Sequence, residues 1–384
     1  MKQKEIRFGI IGCGLMGREF ASAVQRWCNL TTLNVKPRIV GVSSASENSM
    51  EWFRDHFPEI TTFTTDYRNL LDRSDIDVIY CAVPHHLHES IYIDILSAGK
   101  HLFGEKPFGI DIHANIKIMK AISDHPNLFV RVSSEFPFFP GALKIYQWIV
   151  ENRFEQIIDV EAGFWHSSDL NPLKPINWKR KVEFNGEYGS MGDLGMHVVH
   201  LPFRCGWFPF QVYALLKKVF TERPDNNGTM TPCDTWDNAI LSCKVQKEGY
   251  DFPMVLSMKR VSPGDGNTWF IRIKGTRLSA EFSTKNPKII RYLEYTPGGR
   301  QSWQCEDLAH VSVYPVITGG IFEFGFADAF LQMIAAYCDE FSNGRDKGNK
   351  FYCATPEEAY QSHVLFTAAL QSHKDRNAVD LVLS

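Results

Sequence analysis

The sequence predicts a doubly wound parallel sheet of the α/β class in the first third of the chain and an α+β region behind it. In the first third, short β-like runs alternate with helical patterns, as in a parallel sheet wrapped by helices. Between about residues 211 and 295, several strand-like runs follow one another. Such runs after an alternating half indicate an open, mostly antiparallel sheet with helices on one face.

The alternating segment predicts five strands and the helices that connect them. The strands are predicted at residues 7–11, 38–42, 75–83, 101–103 and 128–132. The run 75–83 is nearly all apolar, as expected of a strand that is covered on both faces. The helices are predicted at residues 16–28, 48–56, 87–96 (ending at Gly99) and 111–123, with Asp111 as the cap of the last one.

An aromatic and proline-rich stretch, residues 136–141, follows Ser134 and predicts a domain boundary. The first domain is therefore expected at residues 1–134 and the second at residues 135–384. In the second domain, strands are predicted at residues 157–164, 212–220, 239–245, 254–258, 270–274 and 278–282, and helices at residues 143–152, 193–205 and 327–341. A last helix begins with Thr355 as cap and Pro356 at its first position, and it can pack back on the first domain.

The composition argues against several functional classes. The formal net charge of −3 gives no electrostatic reason to expect a nucleic acid or an anionic membrane as partner. No apolar stretch approaches the ~20 residues of a membrane span, and the apolar run 6–11 leads into glycines rather than into a signal-peptide cleavage site. The nine cysteines include no Cys-x-x-Cys pair, which argues against a disulfide framework or a zinc ribbon and predicts a cytoplasmic location.

A glycine-rich loop lies between the first predicted strand and the first predicted helix. Its residues fit the pattern G-x-G-x-x-G and are Gly12, Cys13, Gly14, Leu15, Met16 and Gly17. The first glycine of this pattern permits a tight turn, the second lets the backbone approach a pyrophosphate, and the third brings the helix close to the strand. Because the helix N-terminus also favours phosphate charge, the loop predicts a dinucleotide-binding Rossmann domain.

The end of the second strand does not decide between NAD and NADP. An NAD site usually has an acidic residue there, which holds the ribose hydroxyls. This chain has Ser43 and Ser44 instead, and its next carboxylate is Glu47. The serines could bond a 2′-phosphate, but no arginine stands beside them to neutralise its charge. Both nucleotides therefore stay open as cofactors.

Two further motifs carry side chains suited to catalysis. The run 104–108, Gly-Glu-Lys-Pro-Phe, follows a strand of the first domain at the sheet edge where open α/β sheets bind ligands. The run 189–197 opens a helix in the second domain. Asp193 and His197 are four residues apart, so a helix places both on one face. His200 lies one turn further along, where core packing explains it as well as function does.

With these motifs in this order, the chain resembles the glucose–fructose oxidoreductase/inositol dehydrogenase family (Gfo/Idh/MocA) over nearly its whole length. The motifs that carry the resemblance are residues 12–17, 83–89, 105–107 and 192–197, and the helix at 355–372. The resemblance implies an NAD(P)-dependent dehydrogenase or reductase. Its substrate would be a secondary alcohol or ketone of a sugar, glycoside or cyclitol.

The resemblance also implies catalytic roles for three residues. Lys106 would orient the substrate and stabilise charge, Asp193 would bond a substrate hydroxyl, and His197 would carry the proton. The chemistry agrees, since histidine titrates near neutrality and can take and return a proton. Taken singly, a surface lysine, a helix-capping aspartate and a core histidine would explain the same residues. The resemblance further implies a cis peptide bond between Lys106 and Pro107.

Other residues are implied at the cofactor. The resemblance places Pro84, His85 and His88 at the nicotinamide ribose, and Glu105 and Lys106 among the cofactor contacts. The histidines at 85, 86 and 88 also raise the question of a metal. Apart from Glu89, no carboxylate or cysteine completes a set of ligands there, so no metal site is expected.

The segment 165–180 is rich in aromatic side chains and precedes the helix of Asp193. Flat rings beside polar groups suit a polyhydroxylated ring. Trp165, Trp178 and Arg180 are therefore predicted to bind substrate together with Lys106, Asp193 and His197, although ordinary packing of the second domain explains the aromatic residues equally well.

Two other functions remain open beside the dehydrogenase. An oxidoreductive glycosidase would oxidise a sugar transiently, eliminate the aglycone and recycle its cofactor at the same site. A non-catalytic, ligand-binding regulatory protein could retain the fold. In each case an open sheet with an uncovered apolar face predicts self-association, as a homodimer or homotetramer.

Overall fold

The computed structural model describes residues 4–308, 312–345 and 350–383, and within these ranges the chain forms seventeen β-strands and ten α-helices. The strands are β1 (Lys4–Ile11), β2 (Val35–Ser43), β3 (Thr62–Thr64), β4 (Val78–Cys81), β5 (His101–Gly104), β6 (Val130–Val132), β7 (Ile157–His166), β8 (Pro209–Lys217), β9 (Glu222–Pro224), β10 (Met230–Pro232), β11 (Asn238–Lys247), β12 (Tyr250–Lys259), β13 (Asn267–Gly275), β14 (Leu278–Ser283), β15 (Ile289–Glu294), β16 (Gln304–Asp307) and β17 (Val379–Asp380). The predicted domain limits at residues 1 and 384 lie outside the described ranges.

The α-helices are α1 (Leu15–Gln25), α2 (Glu51–His56), α3 (Arg68–Leu71), α4 (His88–Ser97), α5 (Ile112–Asp124), α6 (Pro140–Val150), α7 (Val182–Asn185), α8 (Ser190–Arg204), α9 (Phe326–Asn343) and α10 (Pro356–Asp375). Short 3₁₀ helices lie at Arg26–Asn29, Glu47–Met50, His85–Leu87, Phe136–Phe138 and Trp178–Arg180. The predicted caps are present, because the side chains of Asp111 and Thr355 accept hydrogen bonds from the first turns of α5 and α10. None of the helices in the described ranges is long and apolar enough to cross a membrane.

The first domain is built on a six-stranded parallel sheet in the order β3-β2-β1-β4-β5-β6. β1 lies between β2 and β4, and Ile10 is level with Val42 on one side and Tyr80 on the other. This order is that of the doubly wound dinucleotide-binding fold, so the predicted fold class is confirmed. The sequence missed β3 because a run of Thr-Phe-Thr is too short and too polar to be distinguished from a loop.

The second domain carries a nine-stranded sheet in the order β16-β15-β14-β13-β7-β12-β11-β8-β17. Neighbouring strands pair antiparallel except β7 and β12, which are parallel. Helices α6, α8 and α10 pack against this sheet. The predicted mostly antiparallel sheet is thus confirmed, while the strands β15, β16 and β17 at its edges were not predicted.

The face of this sheet opposite to the helices exposes apolar side chains. They belong to β8 and β11 and are Phe210, Tyr213, Leu215 and Ile240, of which Leu215 is 56% exposed. The alternating residues Val212, Ala214 and Leu216 of β8, like Ala239 and Leu241 of β11, point to the other face and are buried.

The two C-terminal helices tie the second domain to the first. α9 packs against α1 and β2, and Glu340 on α9 pairs with Arg131 on β6 at 2.6 Å. α10 packs against α5, and His363 Nε2 lies 2.6 Å from the carbonyl oxygen of Pro107. The turn that carries Lys106 is therefore supported by a helix from the far end of the chain.

Helix α8 packs closely on α10 at Gly195. A β-carbon at this position would lie 2.2 Å from Cζ of Phe366 on α10, far inside van der Waals contact. Asp193 and His197 flank Gly195 on the same helix, so the close packing of α8 on α10 sets the positions of both candidate catalytic side chains.

We expect Gly195→Ala to lower the free energy of unfolding by roughly 1–3 kcal/mol, because the added methyl overpacks the core. Thermal unfolding measures the change. Gly266→Ala is the matched control, since a β-carbon there meets nothing within 4 Å. Combining Gly195→Ala with Phe366→Leu should recover part of the loss; an unchanged melting temperature in the single variant would contradict the close packing.

Candidate active site

A continuous cleft of about 1330 Å³ runs between the two domains along the carboxyl ends of the first sheet. Sites for a single small molecule usually measure roughly 300–1,000 Å³, so this cleft has room for a second ligand. One end is lined by the glycine-rich loop and the other by Lys106, Asp193 and His197. The motifs that the sequence singles out therefore share one cleft.

The three glycines of the loop have three different structural requirements. Gly12 has a φ of +106°, and a β-carbon there would lie 2.3 Å from the carbonyl oxygen of Ala82. At Gly17 a β-carbon would lie 2.1 Å from the carbonyl oxygen of Gly12, so α1 packs directly on the loop. At Gly14 a β-carbon would meet nothing within 4 Å, because this position faces the cleft. The space at Gly14 suits a ligand that must approach the backbone.

The first turn of α1 suits an anion. Gly14 provides no side-chain cap for this helix, and its first turn contains no acidic residue. A helix N-terminus with open backbone N–H groups attracts phosphate. Ser43 and Ser44 line the cleft beside the loop, and the carbonyl oxygen of Ser43 accepts a hydrogen bond from the Gly12 amide at 2.8 Å. These residues fit the pyrophosphate and adjoining ribose of a dinucleotide.

Two buried tyrosines hold the turn that carries Lys106. The Tyr80 hydroxyl donates to Oε1 of Glu105 at 2.7 Å, and the Tyr92 hydroxyl donates to the Glu105 carbonyl oxygen at 2.7 Å. The bond between Lys106 and Pro107 is cis, as the resemblance implies. Glu105 and Lys106 both line the cleft from this turn.

Three basic side chains surround the carboxylate of Asp193. Lys106 Nζ donates to the Asp193 carbonyl oxygen at 2.6 Å and lies 3.5 Å from Oδ1. Lys179 Nζ donates to the same Oδ1 at 2.8 Å, and Arg260 contacts Oδ2. Burial lowers the pKa of Lys106, and burial together with Arg260 lowers the pKa of Lys179 well below its usual range. This end of the cleft therefore favours negative charge on a bound oxygen.

His197 lines the same end of the cleft from the next turn of α8. Its backbone is fixed, because Trp269 Nε1 donates to the His197 carbonyl oxygen at 2.8 Å. Burial, and then the nearby Lys106, hold the pKa of His197 well below its usual value of 6.5. The imidazole is therefore neutral and can either accept or donate a proton at a ring nitrogen.

The model of the oxidoreductase family with an NAD-binding Rossmann fold, GFO_IDH_MocA, matches residues 6–133. The matched residues make up nearly all of the first domain. The match confirms the resemblance indicated by the motifs.

Two curated dehydrogenases are similar to parts of this chain. Levoglucosan dehydrogenase from Pseudarthrobacter phenanthrenivorans is 28% identical over 166 residues, which is 43% of this chain and 42% of that protein. Glucose-6-phosphate 3-dehydrogenase from Bacillus subtilis is 22% identical over 288 residues, or 75% of this chain and 77% of that protein. A solved structure of levoglucosan dehydrogenase with NADH and levoglucosan superposes with a TM-score of 0.88 at 20% identity, covering 99% of this chain and 100% of that one. At this identity, the structural likeness establishes the shared fold.

Most residues that the sequence predicts to bind cofactor or substrate line the cleft. They are Gly12, Cys13, Gly14, Leu15, Met16, Ser43, Ser44, Pro84, His85, Glu105, Lys106, Trp178, Asp193 and His197. Gly17 and His88 lie beneath it instead. Gly17 supports the loop, and His88 is buried with Nε2 3.0 Å from the Val83 carbonyl oxygen and its ring stacked on Tyr92.

Trp165 does not reach the cleft, although it was predicted to bind substrate. Its Nε1 donates to the Ser257 hydroxyl at 2.7 Å on the uncovered face of the second sheet. Its neighbours Phe164 and His166 line the cleft, because successive side chains of a strand point to opposite faces. The predicted segment of β7 thus lies beside the cleft, but the side chain of Trp165 points away from it.

Arg180 and His200 also lie away from the cleft. Arg180 is 1% exposed and forms ion pairs with Asp169 and Asp237 beneath the site. His200 is fully buried, with its Nε2 3.2 Å from Nη2 of Arg204. Arg180 thus stabilises the wall of the cleft rather than contacting its interior, and His200 is part of the core.

Several residues that line the cleft were not predicted, and three of them are charged side chains near Asp193: Glu135, Lys179 and Arg260. Lys179 lies in the aromatic segment that the sequence did single out. Glu135 follows the last strand of the first domain, at the same edge of the sheet as Lys106, so the rule for ligand sites in open sheets could have found it. No local sequence pattern marks Arg260 as a site residue, because it reaches the site only through the pairing of β12 with β7.

We expect Gly14→Ala to weaken nucleotide binding about tenfold or more, roughly 1.4 kcal/mol, because its methyl would project into the cleft. Fluorescence titration with NADH and NADPH measures the dissociation constants. Thermal stability without nucleotide should be unchanged, since the backbone at Gly14 is extended and the methyl meets no atom. Gly266→Ala adds a methyl near the opposite end of the cleft and should leave nucleotide affinity unchanged; equal affinities in all three proteins would contradict the assignment of the loop.

Proposed function

We propose that this protein is an NAD(P)-dependent oxidoreductase that interconverts a secondary alcohol and a ketone on a sugar, glycoside or cyclitol. The observation that carries the proposal is the convergence of Lys106, Asp193 and His197 in the cleft that begins at the glycine-rich loop. These residues come from both domains, so the site exists only where the domains meet.

Each of the three side chains has a different role in the reaction. When bound, the nicotinamide supplies the acceptor or donor of a hydride. In this proposal Lys106 stabilises negative charge on the substrate oxygen, and Asp193 accepts a hydrogen bond from a neighbouring hydroxyl. His197, neutral in this environment, exchanges the proton of the reacting hydroxyl.

The walls of the cleft support a polyhydroxylated substrate. Trp178 lines the cleft beside His85, with the two rings packed edge to face at 4.9 Å, and Phe164 lines it from β7. Lys179 and Arg260 provide hydrogen-bond donors next to these apolar surfaces. The names of the two curated relatives and the ligand of the solved structure point to the same class of substrate.

The first test is the absorbance of reduced nicotinamide while the protein is incubated with sugars, glycosides and cyclitols, using NAD⁺ and NADP⁺ in parallel. We expect reduction of one nucleotide by at least one polyol, and a fall of about 10²–10⁴-fold in Lys106→Ala. Lys117→Ala removes an exposed lysine of α5 and should retain the full rate.

Two outcomes would replace this proposal. Release of an aglycone without net reduction of nicotinamide would indicate the oxidoreductive glycosidase. Binding of a ligand without turnover in either assay would indicate the non-catalytic regulatory protein.

We also propose that the protein is a homodimer or homotetramer that associates through the exposed apolar face of β8 and β11. Leu215→Glu should shift the sedimentation coefficient toward that of a monomer, because it places a charge in this face. Ile116→Glu is the matched control, as Ile116 is 48% exposed on α5 in the first domain. A wild-type monomer at every concentration would contradict the proposal. The cytoplasmic location stays a prediction.

A further inference from the structure

Glu135 is a buried acid at the catalytic end of the cleft. It follows β6 at the carboxyl edge of the first sheet, is 3% exposed and lines the cleft with Lys106 and His197. The proposed function assigns it no role. A carboxyl group is costly to bury away from water unless it is paired, so its position calls for an explanation.

Glu135 and His197 present two unpaired atoms to each other. Oε2 of Glu135 lies 3.7 Å from Nδ1 of His197, and each of these atoms is buried without a hydrogen-bond partner within the described part of the chain. The rings of Phe136 and Phe164 pack edge-on against the imidazole, with centroids 5.1 and 5.7 Å away. These rings confine the imidazole, and the two atoms would have to approach by roughly 0.5–1 Å to form a hydrogen bond.

We propose that Glu135 and His197 form a proton relay in which His197 exchanges the proton with the substrate and Glu135 stores it. The relay rests on the proposed function, since it serves the oxidation of an alcohol. It assigns the two imidazole nitrogens different partners: Nε2 serves the substrate and Nδ1 serves Glu135.

The surrounding charges support a relay rather than a histidine that keeps the proton. His197 faces Lys106, Lys179 and His200, and with burial these groups disfavour an imidazolium. A proton that arrives at one nitrogen must therefore leave from the other.

The groups around Glu135 adapt it to receive that proton. It is influenced by Glu105, Lys106 and Glu19, and faces His197. Burial, and then the like charge of Glu105, raise the pKa of Glu135 to about 8. Its carboxyl group can therefore hold or release a proton near neutral pH.

The relay balances for alcohol oxidation. The substrate O–H bond breaks and its proton binds His197 Nε2, while the proton on Nδ1 moves to Oε2 of the Glu135 carboxylate. The substrate C–H bond breaks with its electron pair, which leaves as hydride to the oxidised nicotinamide, and the carbonyl forms. After the product leaves, the proton of Glu135 returns to Nδ1 and the proton of Nε2 passes to water in the cleft.

The relay predicts opposite pH dependences for the two directions. Oxidation requires Glu135 ionised, so kcat should rise with pH through about 8 and level off above it. Reduction requires Glu135 protonated, so its kcat should fall over the same range. Lys106 and Lys179 also have lowered pKa values, and their titration would change kcat with pH in a similar range. A variant of Glu135 is therefore needed to identify the group that causes the pH dependence.

The test is Glu135→Gln, which keeps the size of the side chain but cannot take up the proton. We expect kcat to fall about 10²–10⁴-fold, with KM and nucleotide affinity within twofold of wild type and the pH limb near 8 abolished. Glu135→Asp, which restores an acid, should recover part of kcat and a pH limb. His197→Gln combined with Glu135→Gln should be no slower than His197→Gln alone, because two members of one relay are not additive.

The outcomes separate this inference from the proposed function. Wild-type turnover with an unchanged kcat and pH limb in Glu135→Gln would overturn the relay and leave the dehydrogenase standing. Loss of nucleotide binding or of thermal stability in Glu135→Gln, with no recovery in Glu135→Asp, would also overturn it in favour of a structural role. No turnover by the wild-type protein with any polyol would instead remove the proposed function on which the relay rests.

Discussion

Lys106 and Asp193 belong to different domains, and the hydrogen bond from Lys106 Nζ to the Asp193 carbonyl oxygen links them at the floor of the cleft. The backbone on each side of this bond is held by further contacts, and helix α10 contributes to both sides. Tyr92 and His363 bond the carbonyl oxygens on either side of Lys106, at Glu105 and Pro107. On the other side, the close packing of α8 on α10 fixes the position of Asp193. The rest of the site depends on this junction, because neither domain alone contains a complete set of reacting groups.

Charge at the junction is concentrated on a few buried groups. The carboxylate of Asp193 is contacted by three basic side chains, those of Lys106, Lys179 and Arg260. Burial, and then Lys106, His200 and Lys179, lower the pKa of His197 well below its usual value. Glu135, in contrast, has a raised pKa, because burial makes its ionised form less favourable. Acid and base functions at one site are thus separated by local environment rather than by residue type.

The fold and the grouping of the principal candidate residues at one cleft could be predicted because their signals are local. The glycine loop lies between a strand and a helix, and Asp193 and His197 share a helical face. The strand of Trp165 was also predicted, but the alternation of side chains has two possible phases, and only packing decides which one faces the cleft. Trp165 consequently faces away, while Phe164 faces in.

Charged residues from distant segments were harder to assign. Arg180 was predicted at the substrate, but Asp169 and Asp237 pair with it beneath the cleft. Arg260 reaches Asp193 only through the arrangement of strands in the second sheet. No periodicity or short motif records such a long-range pairing, so the sequence alone could not distinguish a ligand-binding arginine from one that is neutralised in the wall.

The contact between His363 and Pro107 has a consequence for the order in which the protein is made. Domains emerge from the ribosome N-terminal first, so the nucleotide loop and Lys106 are synthesised long before α8 and α10. A nascent first domain contains the glycine-rich loop for a nucleotide. It lacks Asp193, His197 and the helix that supports the turn of Lys106. The cleft is completed only when the final helix, Pro356–Asp375, has been translated and has docked.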